Sequence, residues 1–102
     1  MNKLWINAGI EVQNGKDIQQ AKQALAKLAQ ETMQESGCFE FQILQDINSP
    51  QRFTLRECWR DADALSAHFE QAHTKAYLEQ ELTSVNYIEH LNLVSDDSNS
   101  PQ

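Results

Sequence analysis

Residues 52–73 read "RFTLRECWRDADALSAHFEQAH" and change period halfway. From Arg52 to Trp59 the chain alternates, so Phe53, Leu55, Glu57 and Trp59 point to one face of a half-buried strand. From Asp61 the repeat lengthens to threes and fours. Leu65, His68, Phe69 and Ala72 fall on a single side of a helix, with Asp61 placed to cap it and Asp63 in its first turn. A strand running straight into a helix, each with one apolar face, predicts that the helix folds back over the sheet. Both apolar faces carry a polar intruder. A carboxylate taken out of water is costly unless paired or hydrogen-bonded, so Glu57 predicts either a structural hydrogen bond or a lined cavity, and His68 raises the same alternative.

The same reading extends outward in both directions. Upstream, "KLWINAGIEV" alternates with Leu4, Ile6, Ala8, Ile10 and Val12 on one face. A helical period follows from Asp17 through Ile18, Ala21, Leu25, Leu28 and Thr32; Asp17 or Asn14 is placed to cap it, and Gly37 to end it in the left-handed conformation. "CFEFQILQDI" alternates again, with Phe39, Phe41, Ile43 and Ile47 toward the core. The short "NSPQ" turn then predicts an antiparallel hairpin. In the register that shares one apolar face, Phe41 pairs with Glu57 and Phe39 with Trp59, while Cys38 and Cys58 meet on the opposite face near Arg56 and Arg60. Downstream, "TKAYLEQEL" is a second helical piece carrying Tyr77, Leu78 and Leu82, and "SVNYIEHLNLV" is the last strand.

Strand, helix, strand, strand, helix, strand is the order of an α+β, ferredoxin-like split βαβ sandwich: a four-stranded antiparallel sheet with its helices on one face. A single domain over residues 1–94 is expected, with 95–102 as a disordered polar tail. The uncovered face would carry Trp5, Cys38, Gln42, Thr54, Arg56 and Cys58 with Ile88, His90 and Val94 or their alternates on the last strand. That is too apolar to be left to water, so a homodimer is expected to bury it.

Composition narrows the classes of function. With 15 acidic against 8 basic residues the formal charge is −7, which argues against nucleic acid and anionic membranes as partners. No apolar run approaches the roughly 20 residues of a membrane span, and the N-terminus alternates where a signal peptide would be a block, so a cytoplasmic protein is expected. Cys38 and Cys58 form no C-x-x-C pattern. His68 and His73 are five apart, a spacing that does not stack them on one helical face, and no third ligand stands out, so no metal is expected. There is no phosphate loop, G-x-S-x-G or dinucleotide fingerprint, so any activity should be cofactor-free.

Glu57, Trp59, His68 and His73 remain as the residues with chemistry to offer. Glu57 and Trp59 end a core strand, and His68 sits on the helix that folds over it. Together they would line one gap walled by Phe41 and Phe69: an oily pocket with a carboxylate and one or two imidazoles, able to move protons on a planar organic substrate. The plainer alternatives are that Glu57 binds a backbone amide or His68 itself, that Trp59 is core, and that His73 is a solvated helix end.

The run "SGCFEFQILQD…RFTLRECWRDADALSAHFEQAH" resembles the antibiotic biosynthesis monooxygenase (ABM) superfamily of dimeric α+β barrels, and the likeness covers nearly the whole chain. Glutamate, any residue, tryptophan, a histidine nine further on and a second five later, here Glu57, Trp59, His68 and His73, resembles the branch of quinol monooxygenases and the autoinducer-degrading isomerase. The resemblance implies a pocket between sheet and helices that oxygenates a small quinol or polyphenol with molecular oxygen and without metal or flavin. It implies His68 as base, Glu57 as its orienter, Trp59 and Phe69 as the ring platform, and Phe41, His73 and Tyr77 as further substrate contacts. Ala72 stands where that branch usually has proline. Ala8 and Glu79 stand where haem-degrading relatives carry asparagine and histidine, which disfavours haem degradation. The isomerase alternative needs a cation for phosphate at the pocket mouth, for which Arg52, Arg60 and Lys75 are the candidates. A non-catalytic aromatic-binding module is the third reading.

Overall fold

The computed structural model describes residues 2–95. The elements run β1 (Leu4–Val12), α1 (Ile18–Thr32), β2 (Cys38–Gln45), β3 (Arg52–Trp59), α2 (Ala62–His68), α3 (Ala72–Glu79) and β4 (Thr83–Leu91). The strands form one antiparallel sheet in the order β2-β3-β1-β4, the ferredoxin-like α+β arrangement. Met1 and the tail from residue 96 lie outside the described residues, and with them the expectation of a disordered tail.

β1 lies at the centre because both its neighbours can cover it, and Ile6, Ala8, Ile10 and Val12 are all buried as alternation requires. α1 buries Ala21, Leu25, Leu28 and Thr32 against that face, and the Asp17 carboxylate caps it by accepting from the Gln20 amide at 3.1 Å. Asp61 caps α2 in the same way, accepting from Ala64 at 2.8 Å. These local bonds fix where the helices begin, and the buried stripes fix which way they face.

Gly37 has a different role from the expected helix cap. α1 ends at Thr32 with Met33 right-handed, and among the described residues positive φ occurs only at Gly15 and Glu81. Gly37 is needed for closeness instead: a Cβ there would collide with the Cβ of Ala64, so the glycine lets α2 seat against the loop after α1. The hydrogen bond from the Arg60 amide to the Gly37 carbonyl, 2.8 Å, ties the same loop to the end of β3.

Two bulges correct the expected faces. In the β2–β3 ladder Phe41 does pair with Glu57, but Cys38 pairs with Trp59 and Glu40 with Cys58, which leaves Phe39 as the extra residue. Cys38 therefore faces the core, away from Cys58, and Phe39 is turned out to 47 % exposure under the ammonium of Lys3. Ile47 lies beyond the strand in the turn, fully outside the core. In the β1–β4 ladder Gly9 pairs with Tyr87 and Ile10 with Val85, so Asn86 is extra. Ile88 and His90, expected on the open face, pair with the inward residues Ala8 and Ile6 and point to the helix side. Val94 lies past the end of β4. Trp5, Gln42, Thr54, Arg56 and Cys58 lie on the open face as expected, joined by Leu44, Tyr87 and Leu91. Trp5 there is flanked by Cys58 and Leu91 in the register.

The helical stripe also divides. α2 stops at His68, and α3 begins afresh at Ala72, which is exposed. Ala64 and His68 are the buried residues of α2, Thr74 and Tyr77 those of α3. The break between the two helices turns the chain so that both ends present side chains to one place.

Candidate functional site

Between the helices and the inward faces of all four strands lies a cavity of about 240 Å³. Its floor is Ile6, Ala8 and Ile10 of β1 with Phe41, Leu55 and Glu57, and its roof includes His68, Phe69 and Tyr77. Phe69, Leu78, Val85 and Ile88 form its mouth, each about half exposed, because no helix reaches over β4. The walls are almost wholly apolar. A planar hydrophobic ligand matches such a surface.

Within it, Glu57 is 7 % exposed and its Oε1 accepts a 2.8 Å hydrogen bond from Trp59 Nε1. Burial pushes its carboxyl above the ordinary range, and the indole N–H pulls it only partly back. The bond goes to the tryptophan and neither to a backbone amide nor to His68. Trp59 is entirely buried and lies behind the cavity wall, in edge contact with Phe41 at 6.3 Å between centroids and against His68 at 4.8 Å. It supports the rings that line the cavity and is not itself among them, whereas Phe41 and Phe69 line it and flank His68 at 5.7 and 5.3 Å. Tyr77 lines the cavity with its hydroxyl bonded to Thr83 Oγ1; burial raises the phenol above its usual value despite that bond.

His68 is oriented by a residue that sequence reasoning missed. Glu35, in the loop between α1 and β2, places Oε2 2.7 Å from His68 Nδ1 and 2.7 Å from His73 Nε2. Thr74 Oγ1 lies 3.3 Å from the same His68 nitrogen. A carboxylate only accepts, so both ring nitrogens facing it carry protons. In the neutral form of the ring this leaves His68 Nε2 as the acceptor, in a ring that lines the cavity. The role of orienter expected of Glu57 belongs to Glu35, because Glu57 is already engaged by Trp59. His73 is not a cavity residue: it lies on the far side of Glu35, lining the outer grooves. The faint signal for Glu35 was the hairpin itself. Extended past Cys38, its register brings the "ESG" loop to the start of α2.

The five-residue spacing of the histidines did not preclude a shared partner, and the absence of a third candidate ligand does not hold either: Glu35, His68 and His73 offer three ligand atoms within 4.8 Å of one another. The bend between α2 and α3 brings the two rings together where a continuous helix would splay them. No lysine or arginine lines the cavity. Arg52, Arg60 and Lys75 are engaged outside it by Glu11, Asp61 and Glu70, each at 3.3 Å. Cys38 is a buried thiol, pushed up to about 11 by burial and by the nearby Glu35 and Glu57. Among the described residues no helix is long and apolar enough to cross a membrane.

Comparison with known proteins agrees with this architecture. The chain is 31 % identical over 84 residues to the uncharacterized protein YjcS of Bacillus subtilis, covering 82 % of this chain and 80 % of that one. The solved structure of YjcS superposes with a TM-score of 0.83 at 30 % identity over 89 % of this chain and 98 % of the other. The fold is shared with SnoaB of Streptomyces nogalater, a cofactor-independent oxygenase, at a TM-score of 0.78 and 12 % identity over 91 % of this chain and 94 % of SnoaB. It is shared too with a Bacteroides thetaiotaomicron protein of unknown function described as a possible oxidoreductase, at a TM-score of 0.79 and 23 % identity over 90 % of this chain and 98 % of the other. The family model of the antibiotic biosynthesis monooxygenases matches residues 4–80, from the first core strand through the helix that carries Tyr77, and the chain belongs to that family.

Proposed function

We propose that the protein is a cofactor-independent monooxygenase acting on a small quinol or polyphenol. The observation that carries the reading is the buried His68 ring, tethered through Nδ1 to Glu35 and free at Nε2, on the wall of an apolar cavity. Nε2 accepts the phenolic proton of a bound diol. The phenolate passes an electron to oxygen, and the resulting pair combines at a ring carbon to give a peroxide that loses water. A dihydroxyarene and dioxygen thus yield a hydroxyquinone and water, with all four electrons supplied by the substrate. Phe41 and Phe69 hold the ring, and the Glu57 carboxyl and Tyr77 hydroxyl are the further polar groups a substrate hydroxyl can meet.

On this reading the protein acts in the cytoplasm as a homodimer, which the exposed Leu44, Tyr87 and Leu91 on the uncovered sheet face support. The isomerase reading is disfavoured by the lack of any lysine or arginine on the cavity wall. The test is oxygen uptake by metal-stripped protein with benzo-, naphtho- and catechol-type diols, corrected for autoxidation. His68→Ala should lower kcat/KM by about 10²–10⁴-fold while the chain stays folded. A fully active variant would overturn the mechanism. Stoichiometric binding of a diol without its consumption would identify a non-catalytic binding module.

A further inference from the structure

The cluster that positions His68 has the composition of a metal site. Two imidazoles and one carboxylate, brought from the loop after α1, the end of α2 and the start of α3, converge within 4.8 Å, with side chains only 6 % (His68), 15 % (His73) and 8 % (Glu35) exposed. Nδ1 of His68 and Nε2 of His73 already lie 2.7 Å from one oxygen. A tetrahedral ion with ligand bonds of about 2.0–2.2 Å separates its donors by about 3.3 Å, so each oxygen–nitrogen contact must open by about 0.6 Å while the two nitrogens, within 4.8 Å of each other, draw in toward the same separation. The His68 ring is held on its other sides by Phe41, Trp59 and Phe69, which supplies the rigidity such a site needs. An outer groove of about 440 Å³ reaches Glu35 and His73 from solvent, with the acidic Glu31 and the basic Arg60 on its walls. It gives an ion a path inward and room for water in a fourth position.

We propose that Glu35, His68 and His73 bind a divalent transition ion of the zinc and cobalt class. Two nitrogens and one carboxylate oxygen suit these borderline ions, whereas magnesium and calcium demand oxygen ligands. Both imidazoles stay neutral: the ring proton of His68 moves from Nδ1 to Nε2 and that of His73 from Nε2 to Nδ1, so no proton is released and nothing is oxidised. One consequence rests on the function proposed above. With the ion on Nδ1, His68 Nε2 becomes a donor toward the cavity, so the base is switched off and the metal inhibits.

The test uses untagged, metal-stripped protein titrated with zinc chloride by calorimetry and with cobalt chloride by visible absorption. One ion per chain is expected, with cobalt bands of low-coordinate nitrogen–oxygen ligation and no response to magnesium. Glu35→Gln and His73→Ala should each weaken zinc by more than about 100-fold, since even partners of ligands are worth 10–100-fold, and His90→Ala should leave it unchanged. Circular dichroism on each variant separates loss of the site from loss of the fold. Absent binding, or equal affinity in folded His73→Ala, would overturn the site. Zinc that binds through the three residues yet leaves oxygen uptake intact would uphold the site and overturn the role of His68 as base.

Discussion

Glu57 lines the same cavity as His68 and Glu35 holds that ring from the outer side, but the fold treats the two acids in opposite ways. Glu57 stands in a strand with one neutral donor, the Trp59 indole, and burial raises its carboxyl toward the protonated form. Glu35 stands in a loop, and a single oxygen of it meets two histidines. One acid keeps a single neutral donor and a raised pKa, and the other is partnered twice at Oε2. The comparison teaches that the acid in the sequence motif is engaged by the Trp59 indole, and the acid outside the motif is the one that orients the His68 ring.

The largest effect should come from removing the second acid. Glu35→Ala frees the His68 ring to take the other tautomer, and a kcat loss of about 10²-fold with little change in KM is expected in the oxygen-uptake assay. An equal loss from Glu57→Gln with none from Glu35→Ala would reverse the assignment. Glu57→Gln should act on stability instead. Because the folded-state pKa of Glu57 is raised, its contribution is fully present below the unfolded carboxylate pKa and is lost as pH rises through the folded value. The amide variant escapes that loss, so thermal melts should find it more stable than the parent at neutral pH, and should find the difference vanishing at acid pH. A gain that persists at low pH would mean that ionisation is not the cause. The smallest effect belongs to Phe39. Phe39→Ala should cost less than about 1 kcal/mol in denaturant titrations, whereas a core phenylalanine costs about 3–5 kcal/mol. A loss of that size would restore the unbulged hairpin.

The contrast between the two acids is also the contrast between what the sequence makes legible and what it hides. Alternation through Phe53, Leu55, Glu57 and Trp59 and the three-four repeat around His68 are local patterns, and they place the sheet, the helices and the Glu57–His68 side of the cavity correctly. Glu35 lies 33 residues from His68 and 38 from His73 in a loop with no period, so its meeting with them is a property of the folded chain alone. Phe39 and Ile88 were misplaced for another reason: strict alternation assumes one residue against one, and each bulge sets two against one. Gly37 was assigned a conformational role when its role is steric, because the residue it must clear, Ala64, belongs to a distant helix.

Asn86, the extra residue of β4, makes a single bulge the determinant of which side chains line the mouth of the cavity. Beyond it, Ile88 and His90 face the cavity and Tyr87, Glu89 and Leu91 face away. Drawn into the ladder opposite Gly9 in place of bulging, Asn86 would set Tyr87 opposite Ala8 and Glu89 opposite Ile6, lining the mouth with a phenol and an acid and moving its imidazole to the far surface. Deleting Asn86 would instead remove the bulge and leave Tyr87 opposite Gly9 and Ile88 opposite Ala8. The bulge thus lets the strand carry one residue more than its partner while the side chains that line the cavity stay the same.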